Sequence, residues 1–151
     1  MGCQGSKGQR KYTSATDVQI LLGVDALKKT YKISQKLGEG SYGCVYAAEN
    51  ISDPSIKVAI KVLDKRQMKP SDLTQLKCEI KIMQTIDHPN IVNYLETYDD
   101  GRYIYIVMET CEGGNLFDGR KKFTKNGEAF TEKEASQLVY KVLYALNHCH
   151  L

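Results

Sequence analysis

Leu37-Gly38-Glu39-Gly40-Ser41-Tyr42-Gly43-Cys44-Val45, followed downstream by Val58-Ala59-Ile60-Lys61, is the stretch that decides the fold. Glycines lack Cβ, so a turn built from them lets backbone N–H groups approach phosphate oxygens closely. A lysine at a set distance supplies the point charge that such a cradle needs, and a nucleoside triphosphate fits both. The glycine spacing alone is weak evidence, because a dinucleotide-binding βαβ unit carries it too and a glycine-rich hairpin needs no ligand.

The flanking residues separate these alternatives. Tyr31-Lys32-Ile33-Ser34-Gln35-Lys36-Leu37 alternates apolar with polar and predicts a half-buried strand. Cys44-Val45-Tyr46-Ala47-Ala48 also reads as extended, where a dinucleotide fold would need a helix with its N-terminus on the pyrophosphate. Strand, turn, strand therefore predicts a hairpin lid. A third strand, Lys57 to Leu63, puts Val58, Ile60 and Val62 on one face and Ala59, Lys61 and Leu63 on the other. Lys61 then stands among apolar neighbours, where an unpaired ammonium is costly, so it requires an anionic partner. From Ser71 to Ile86, Leu73, Leu76, Ile80 and Met83 recur at helical spacing, with Ser71 or Asp72 as the expected N-cap and Asp87-His88 before Pro89 as the stop. Glu79 lies on the same side as that stripe.

This ordered set, Gly38, Gly40, Gly43 and Val45, then Val58-Ala59-Ile60-Lys61, resembles the N-terminal lobe of eukaryotic protein kinases, and the likeness runs from Tyr31 to Leu151. It implies an α+β fold: a five-stranded antiparallel sheet plus the C-helix, followed by the hinge and the first C-lobe helices. The implied organisation is a tail at 1–30, an N-lobe at 31–109, a hinge at 110–114 and an incomplete C-lobe from 115 to 151. Lys61 would hold the α/β-phosphates of ATP, and Glu79 would pair with Lys61 and orient it. Leu37, Gly38, Gly40, Ser41 and Gly43 would line the phosphate turn, with Val45 and Ala59 sandwiching the purine. Met108 takes the gatekeeper position, while Glu109, Thr110 and Cys111 form the hinge and Asn115 lies near the ribose. Met83 and Tyr94 match the hydrophobic stack that aligns an active kinase. His88-Pro89-Asn90-Ile91-Val92 resembles the turn into strand 4, and Tyr103-Ile104-Tyr105-Ile106-Val107-Met108-Glu109 reads as strand 5.

Several stretches, among them Ile60 to Gln67 and Gly113-Gly114-Asn115-Leu116-Phe117-Asp118, are similar to calcium-dependent and calmodulin-dependent serine/threonine kinases. Cys111-Glu112-Gly113-Gly114-Asn115-Leu116-Phe117 also suits a NimA-related kinase, the alternative group. No EF-hand loop of the D-x-[DN]-x-[DN]-G type occurs, so calcium control is implied by likeness alone. Protein Ser/Thr substrates and Mg2+ are implied for a complete kinase. The His-Arg-Asp loop, the metal-binding Asn and the Asp-Phe-Gly site are absent from these 151 residues, so no metal ligand is assigned and the chain alone is expected to be inactive. The rival class is a noncatalytic, membrane-tethered nucleotide-binding or interaction module.

Thr131-Glu132-Lys133-Glu134 predicts a capping box, and Ala135, Leu138, Val139, Val142, Leu146 and Cys149 continue as one apolar face. With no further C-lobe helices in the chain, that face is expected to be exposed or to find another surface. At the other end, Met1-Gly2-Cys3-Gln4-Gly5-Ser6 fits an N-myristoylation pattern at Gly2, with Cys3 as the adjoining palmitoylation candidate. A second acyl chain, or Lys7, Arg10 and Lys11, would make the anchoring stable. The expected location is the cytoplasm, at the cytoplasmic face of a membrane where the acyl groups are present.

The 151 residues, 42% hydrophobic and 26% charged, suit one modest core. A net charge of +3, with its lysines scattered, argues against nucleic acid. Five cysteines without metal-like pairing suit a reducing compartment, and Cys78 and Cys149 read as packing residues. In His148-Cys149-His150, alternate residues of a helix point in different directions, which argues against a metal site.

Overall fold

The computed structural model describes residues 20–22, 24–116 and 131–150. The acylation candidates Gly2 and Cys3, the basic residues Lys7, Arg10 and Lys11, and the loop residues Phe117 and Asp118 lie outside the described residues. In chain order the elements are β1 (Ile20–Leu22), α1 (Val24–Thr30), β2 (Tyr31–Gly40), β3 (Gly43–Asn50), β4 (Lys57–Asp64), a 3-10 turn (Lys65–Gln67), α2 (Pro70–Thr85), β5 (Tyr94–Asp99), β6 (Tyr103–Glu109) and α3 (Glu132–Cys149). The described residues fall into two compact units: one holds those from Ile20 to Ile86 together with Asn93–Thr110, the other Asp87–Val92 and those from Cys111 onward.

In the first unit the sheet order is β1-β5-β6-β4-β3-β2. Strands β2 to β6 are the expected five, paired antiparallel throughout. A sixth strand, β1, pairs in parallel with β5, so Ile20–Leu22, read from the sequence as part of a tail, belong to the folded sheet. Alternation along β4 and β6 builds two cores on opposite faces. Val58, Ile60, Tyr105 and Val107 join Leu27, Tyr31, Ala48 and Tyr98 on the outer face. Leu63, Ile104 and Ile106 join Leu76, Ile80 and Tyr94 on the inner face, with Leu73 and Met83 packed against them. Full burial of an aliphatic side chain such as Ile60 contributes about 1.5–3 kcal/mol.

Pro70 occupies the first turn of α2, where its missing N–H costs nothing, and the Asp72 carboxylate accepts the Lys69 backbone N–H at 3.0 Å. The N-cap is therefore Lys69 rather than Ser71 or Asp72, because Pro70 lets the helix start two or three residues earlier. The end of β4 is clasped to the β5–β6 hairpin. Asp64 accepts from the Arg66 backbone N–H, Nε and a terminal guanidinium nitrogen at 3.0, 3.1 and 2.8 Å, and Lys65 Nζ meets Asp99 Oδ1 at 2.6 Å. Bonding from Arg66 holds the Asp64 carboxyl down at about 2.

β2 is less buried than its alternation implies: Tyr31 is buried, whereas Ile33 and Leu37 are exposed. Its register against β3 shifts between Ile33 and Lys36 and again between Lys36 and Gly38, and it is an edge strand of the sheet. Each shift disrupts the ladder locally and bends the strand, so an alternating sequence does not keep one face inward.

In the second unit the Thr131 capping box forms as expected, with the Glu134 N–H bonded to Thr131 Oγ1 at 3.3 Å and the Thr131 N–H to Glu134 Oε2 at 2.9 Å. Val139, Val142 and Leu146 on α3 are exposed, Val142 by 66%. Cys149 and, in the first unit, Cys78 are exposed too, which corrects their reading as packing residues. On α2 the buried positions are Leu76 and Ile80, and Cys78 falls between them on the opposite side of the turn. The buried imidazole of His88 lies 4.9 Å from the Tyr144 ring and 5.1 Å from His148, and its Nδ1 accepts the Asn90 N–H at 3.1 Å. His148 thus packs as a ring, and among the described residues no group of three His, Cys, Asp or Glu is placed to hold a metal.

Candidate functional site

Register does most of the assembly. Gly38 stands opposite Val45, Val45 opposite Lys61, and Lys61 opposite Ile106, while Ala59 stands opposite Met108. Residues directly opposite across strands share a face, so Val45, Ala59, Lys61 and Met108 all belong to the inner face, the one that carries α2. The expected purine walls, phosphate lysine and gatekeeper are thereby gathered on one surface of the first unit. Glu109 closes β6: its backbone N–H donates to the Asn93 carbonyl at 2.9 Å and its Oε1 accepts the Asn93 N–H at 3.1 Å. Cys111 and Asn115 fall in the second unit, both exposed.

The three glycines of the turn differ. A Cβ at Gly43 would overlap the Val62 carbonyl oxygen and come within 2.9 Å of the Val62 carbonyl carbon and 3.1 Å of Leu63 Cα. Glycine is required there for β3 to lie against β4, and Tyr42 O accepts the Asp64 N–H at 3.1 Å beside it. A Cβ at Gly38 would meet nothing within 4 Å, and one at Gly40 only the Gly43 carbonyl oxygen at 3.8 Å. Neither has a positive φ. The protein's own packing asks for glycine at one position and leaves open space at the other two. The turn between them is clipped by Lys36 Nζ and Glu39 Oε2, 2.6 Å apart on the surface. Hydrogen bonding to Glu39 raises the Lys36 ammonium pKa, and the same contact lowers that of Glu39.

Lys61 and Glu79 line one cavity of about 150 Å3, together with Tyr42, Leu63, Met68, Asp72, Gln75 and Leu76. Their charged ends do not meet: among the described residues no ion pair joins them, and Glu79 Oε1 instead accepts from Gln75 Nε2 at 3.3 Å. The two side chains thus line one cavity, while the expected contact is not closed. The helix accounts for this, because Gln75 is one turn before Glu79 and competes for its carboxylate, and Glu79 lies on the exposed flank beside buried Ile80. Met83 and Tyr94 both belong to the inner core, where Tyr94 donates to Thr97 Oγ1 at 3.0 Å and accepts from Gln84 Nε2 at 3.2 Å.

Tyr42, Asp72 and Gln75 are cavity residues that the sequence reading did not assign. Asp72, Gln75 and Glu79 share one helix flank by their spacing, a signal present in the chain. Tyr42 carries none, because which way a turn residue leans depends on the packing of the turn. The Asp72 carboxyl is held below its ordinary range first by the Lys69 N–H, with Ser71 and Tyr42 also bonding to it.

Comparison with known proteins agrees with this geometry. The Protein kinase domain family matches residues 31–151. The chain is 42% identical over 132 residues to calcium-dependent protein kinase 5 of Plasmodium berghei, covering 87% of this chain and 22% of that protein. It is 38% identical over 125 residues to calcium/calmodulin-dependent protein kinase type 1 of Macrobrachium nipponense, covering 83% of this chain and 35% of the other. With calcium-dependent protein kinase 14 of Arabidopsis thaliana it shares 34% over 125 residues, covering 82% and 23%. The chain thus spans about a fifth to a third of the length of these relatives. With the glycine hairpin, the strand lysine and the helix glutamate in the family's order around one sheet face, the chain belongs to the protein kinase family.

Proposed function

We propose that this chain is the ATP-binding portion of a serine/threonine protein kinase of the calcium-dependent type, and that the complete kinase transfers the γ-phosphoryl group of ATP to protein Ser or Thr. The observation that carries this reading is the contrast among the glycines. Gly43 is explained by the contact of β3 with β4, but Gly38 and Gly40 satisfy no contact and no unusual backbone angle, so the space they leave suits a ligand brought against the backbone. Lys61, in the same row as Gly38 and Val45, is the cation for the phosphates, and Leu37, Val45, Ala59 and Met108 offer apolar surface to a purine. Ser41 is placed at the tip of the turn. Bound Mg2+ would neutralise phosphate charge; its protein ligands are assigned to the family motifs absent from this sequence, and this chain's residues bind and orient the nucleotide.

The names of the relatives favour the calcium-dependent group over the NimA-related alternative. Acylation at Gly2 and Cys3, with the membrane face of the cytoplasm as the location, rests on the terminal pattern and is part of the proposal. Co-expression with an N-myristoyltransferase followed by mass measurement tests it: an unmodified Gly2 rejects it.

Calorimetry of MgATP against the whole chain, with Lys61→Met beside it, tests the nucleotide reading. Binding by the wild type and its loss in the variant are expected. Equal binding by both proteins, or none by a folded wild type, rejects the assignment of Lys61 in this chain.

A further inference from the structure

The kinase family model matches from residue 31, the match to calcium-dependent protein kinase 5 of Plasmodium berghei covers 87% of the chain and so reaches upstream of that point, and the described part of residues 20–30 is built into the same unit. β1 lies beside β5 with Ile20 opposite Thr97, Leu21 opposite Tyr98 and Leu22 opposite Asp99, so β5 has a neighbour on each side instead of ending the sheet. α1 sends Leu27, 1% exposed, into the outer core with Val58, Ile60, Tyr98 and Val107. At its end the Thr30 carbonyl accepts the Ile51 N–H at 2.9 Å. The next residue, Tyr31, donates its hydroxyl to Glu96 Oε1, and Tyr98 donates to Glu96 Oε2 at 2.9 Å, so one carboxylate joins the start of β2 to β5.

Glu96 stands opposite Val107, and two residues further along β6 is Glu109, whose backbone and carboxylate are both bonded to Asn93 at the start of β5. The contacts made by residues 20–31 thus run along β5 from Glu96 to Asp99, and Glu96 faces Val107, two residues before the end of β6. From this arrangement we infer that residues 20–31 are an intramolecular strap that sets the rigidity of the β5–β6 pair and, through it, the affinity of the nucleotide site. The nucleotide part of this inference rests on the function proposed above. With the strap displaced, β5 becomes a sheet edge, the outer core loses Leu27, and a smaller fraction of molecules holds the hinge strand in the binding geometry, which lowers apparent affinity by that fraction. Whatever engages the amino-terminal tail and pulls on β1 then acts on the site from behind the sheet.

Amide hydrogen exchange and MgATP calorimetry on the whole chain test this, with Leu27→Ala and Tyr31→Phe as the strap variants and Lys28→Ala, on the exposed side of α1, as the control. Leu27→Ala is expected to speed exchange in 94–99 and 103–109 by about tenfold and to weaken ATP by a similar factor, while α2 amides on the opposite face keep their protection. Tyr31→Phe keeps the ring and loses only the donor to Glu96, so it gives the same pattern at roughly twofold to fivefold and carries the test if Leu27→Ala does not fold. Lys28→Ala changes neither. Acceleration spread equally over α2, β5 and β6 would mean general destabilisation and overturn the strap, as would unchanged exchange in both strap variants. A wild type that binds no ATP removes the nucleotide reading, and the exchange pattern then decides the strap independently.

Discussion

The two faces of the sheet are built from the same strands and do different work. On the outer face β4 contributes Val58 and Ile60, which are closed over by Leu27, Tyr98 and Val107. On the inner face the alternate residues are Ala59, Lys61 and Leu63, and Lys61 opens onto a cavity that also holds Glu79 and Asp72. Closure of one face stabilises the lobe; the other keeps a cation within an apolar strand, a costly arrangement unless an anion is brought to it. Under the proposed function, strand alternation lets a single segment serve stability and binding at once, and substitutions should sort by face.

The largest loss should come where the two roles meet. Gly43→Ala forces a methyl group into the Val62 carbonyl, and thermal unfolding should show a drop of more than about 4 kcal/mol or no folded protein. A folded Gly43→Ala with a near-normal melting temperature would show that β3 can shift away from β4. Next, Ile60→Ala on the outer face should cost about 2–5 kcal/mol in urea unfolding, since it empties a fully buried site. Inner-face Lys61→Met, half-buried and with no ion-pair partner among the described residues to strand, should move stability by less than about 1 kcal/mol while removing the proposed ATP binding. Equal stability losses for the two β4 variants would break the comparison.

Alkali should also find the outer face first. Burial, followed by the Glu96 carboxylate, pushes the Tyr31 and Tyr98 hydroxyls up, Tyr98 to about 12; burial and then Asp100 raise Tyr105 as well. A folded pKa above the unfolded value of about 10 contributes stability that is complete below pH 10 and lost as pH rises through the folded value. Absorbance at 295 nm should therefore show these three of the ten tyrosines ionising only as the protein unfolds, above about pH 10. Asp64 gives the opposite sign: its contribution is complete above about pH 4 and lost as pH falls towards 2. The smallest effect belongs to Gly38→Ala, which should leave the melting temperature within about 2 °C, because the added methyl meets nothing, yet weaken ATP by at least about tenfold. If binding survives that change, the open space at Gly38 does not serve a phosphate.

The strands around the glycine turn, the two faces of β4 and the helix carrying Glu79 were legible because each rests on a short period or a steric property of a residue type. Three features were not. The exposure of Ile33 and Leu37 follows from two register shifts, which an alternating sequence does not announce. The exposure of Cys78 and Cys149 contradicts an average preference for burial, and averages do not place a side chain on a helix circumference. The engagement of Glu79 by Gln75 rather than Lys61 is a competition between two donors for one carboxylate, which depends on side-chain placement that spacing does not encode.

By itself the sequence determined the family, the antiparallel strands β2 to β6, α2 and the capping box of α3, because local spacing and glycine chemistry act over a few residues. Only the tertiary structure decided that Ile20–Leu22 pair with β5, that Gly43 alone among the turn glycines is required by packing, and that Lys61 and Glu79 share a cavity without an ion pair. Those outcomes depend on which distant strands and side chains come together, and pairings across tens of residues leave no periodic trace in the chain.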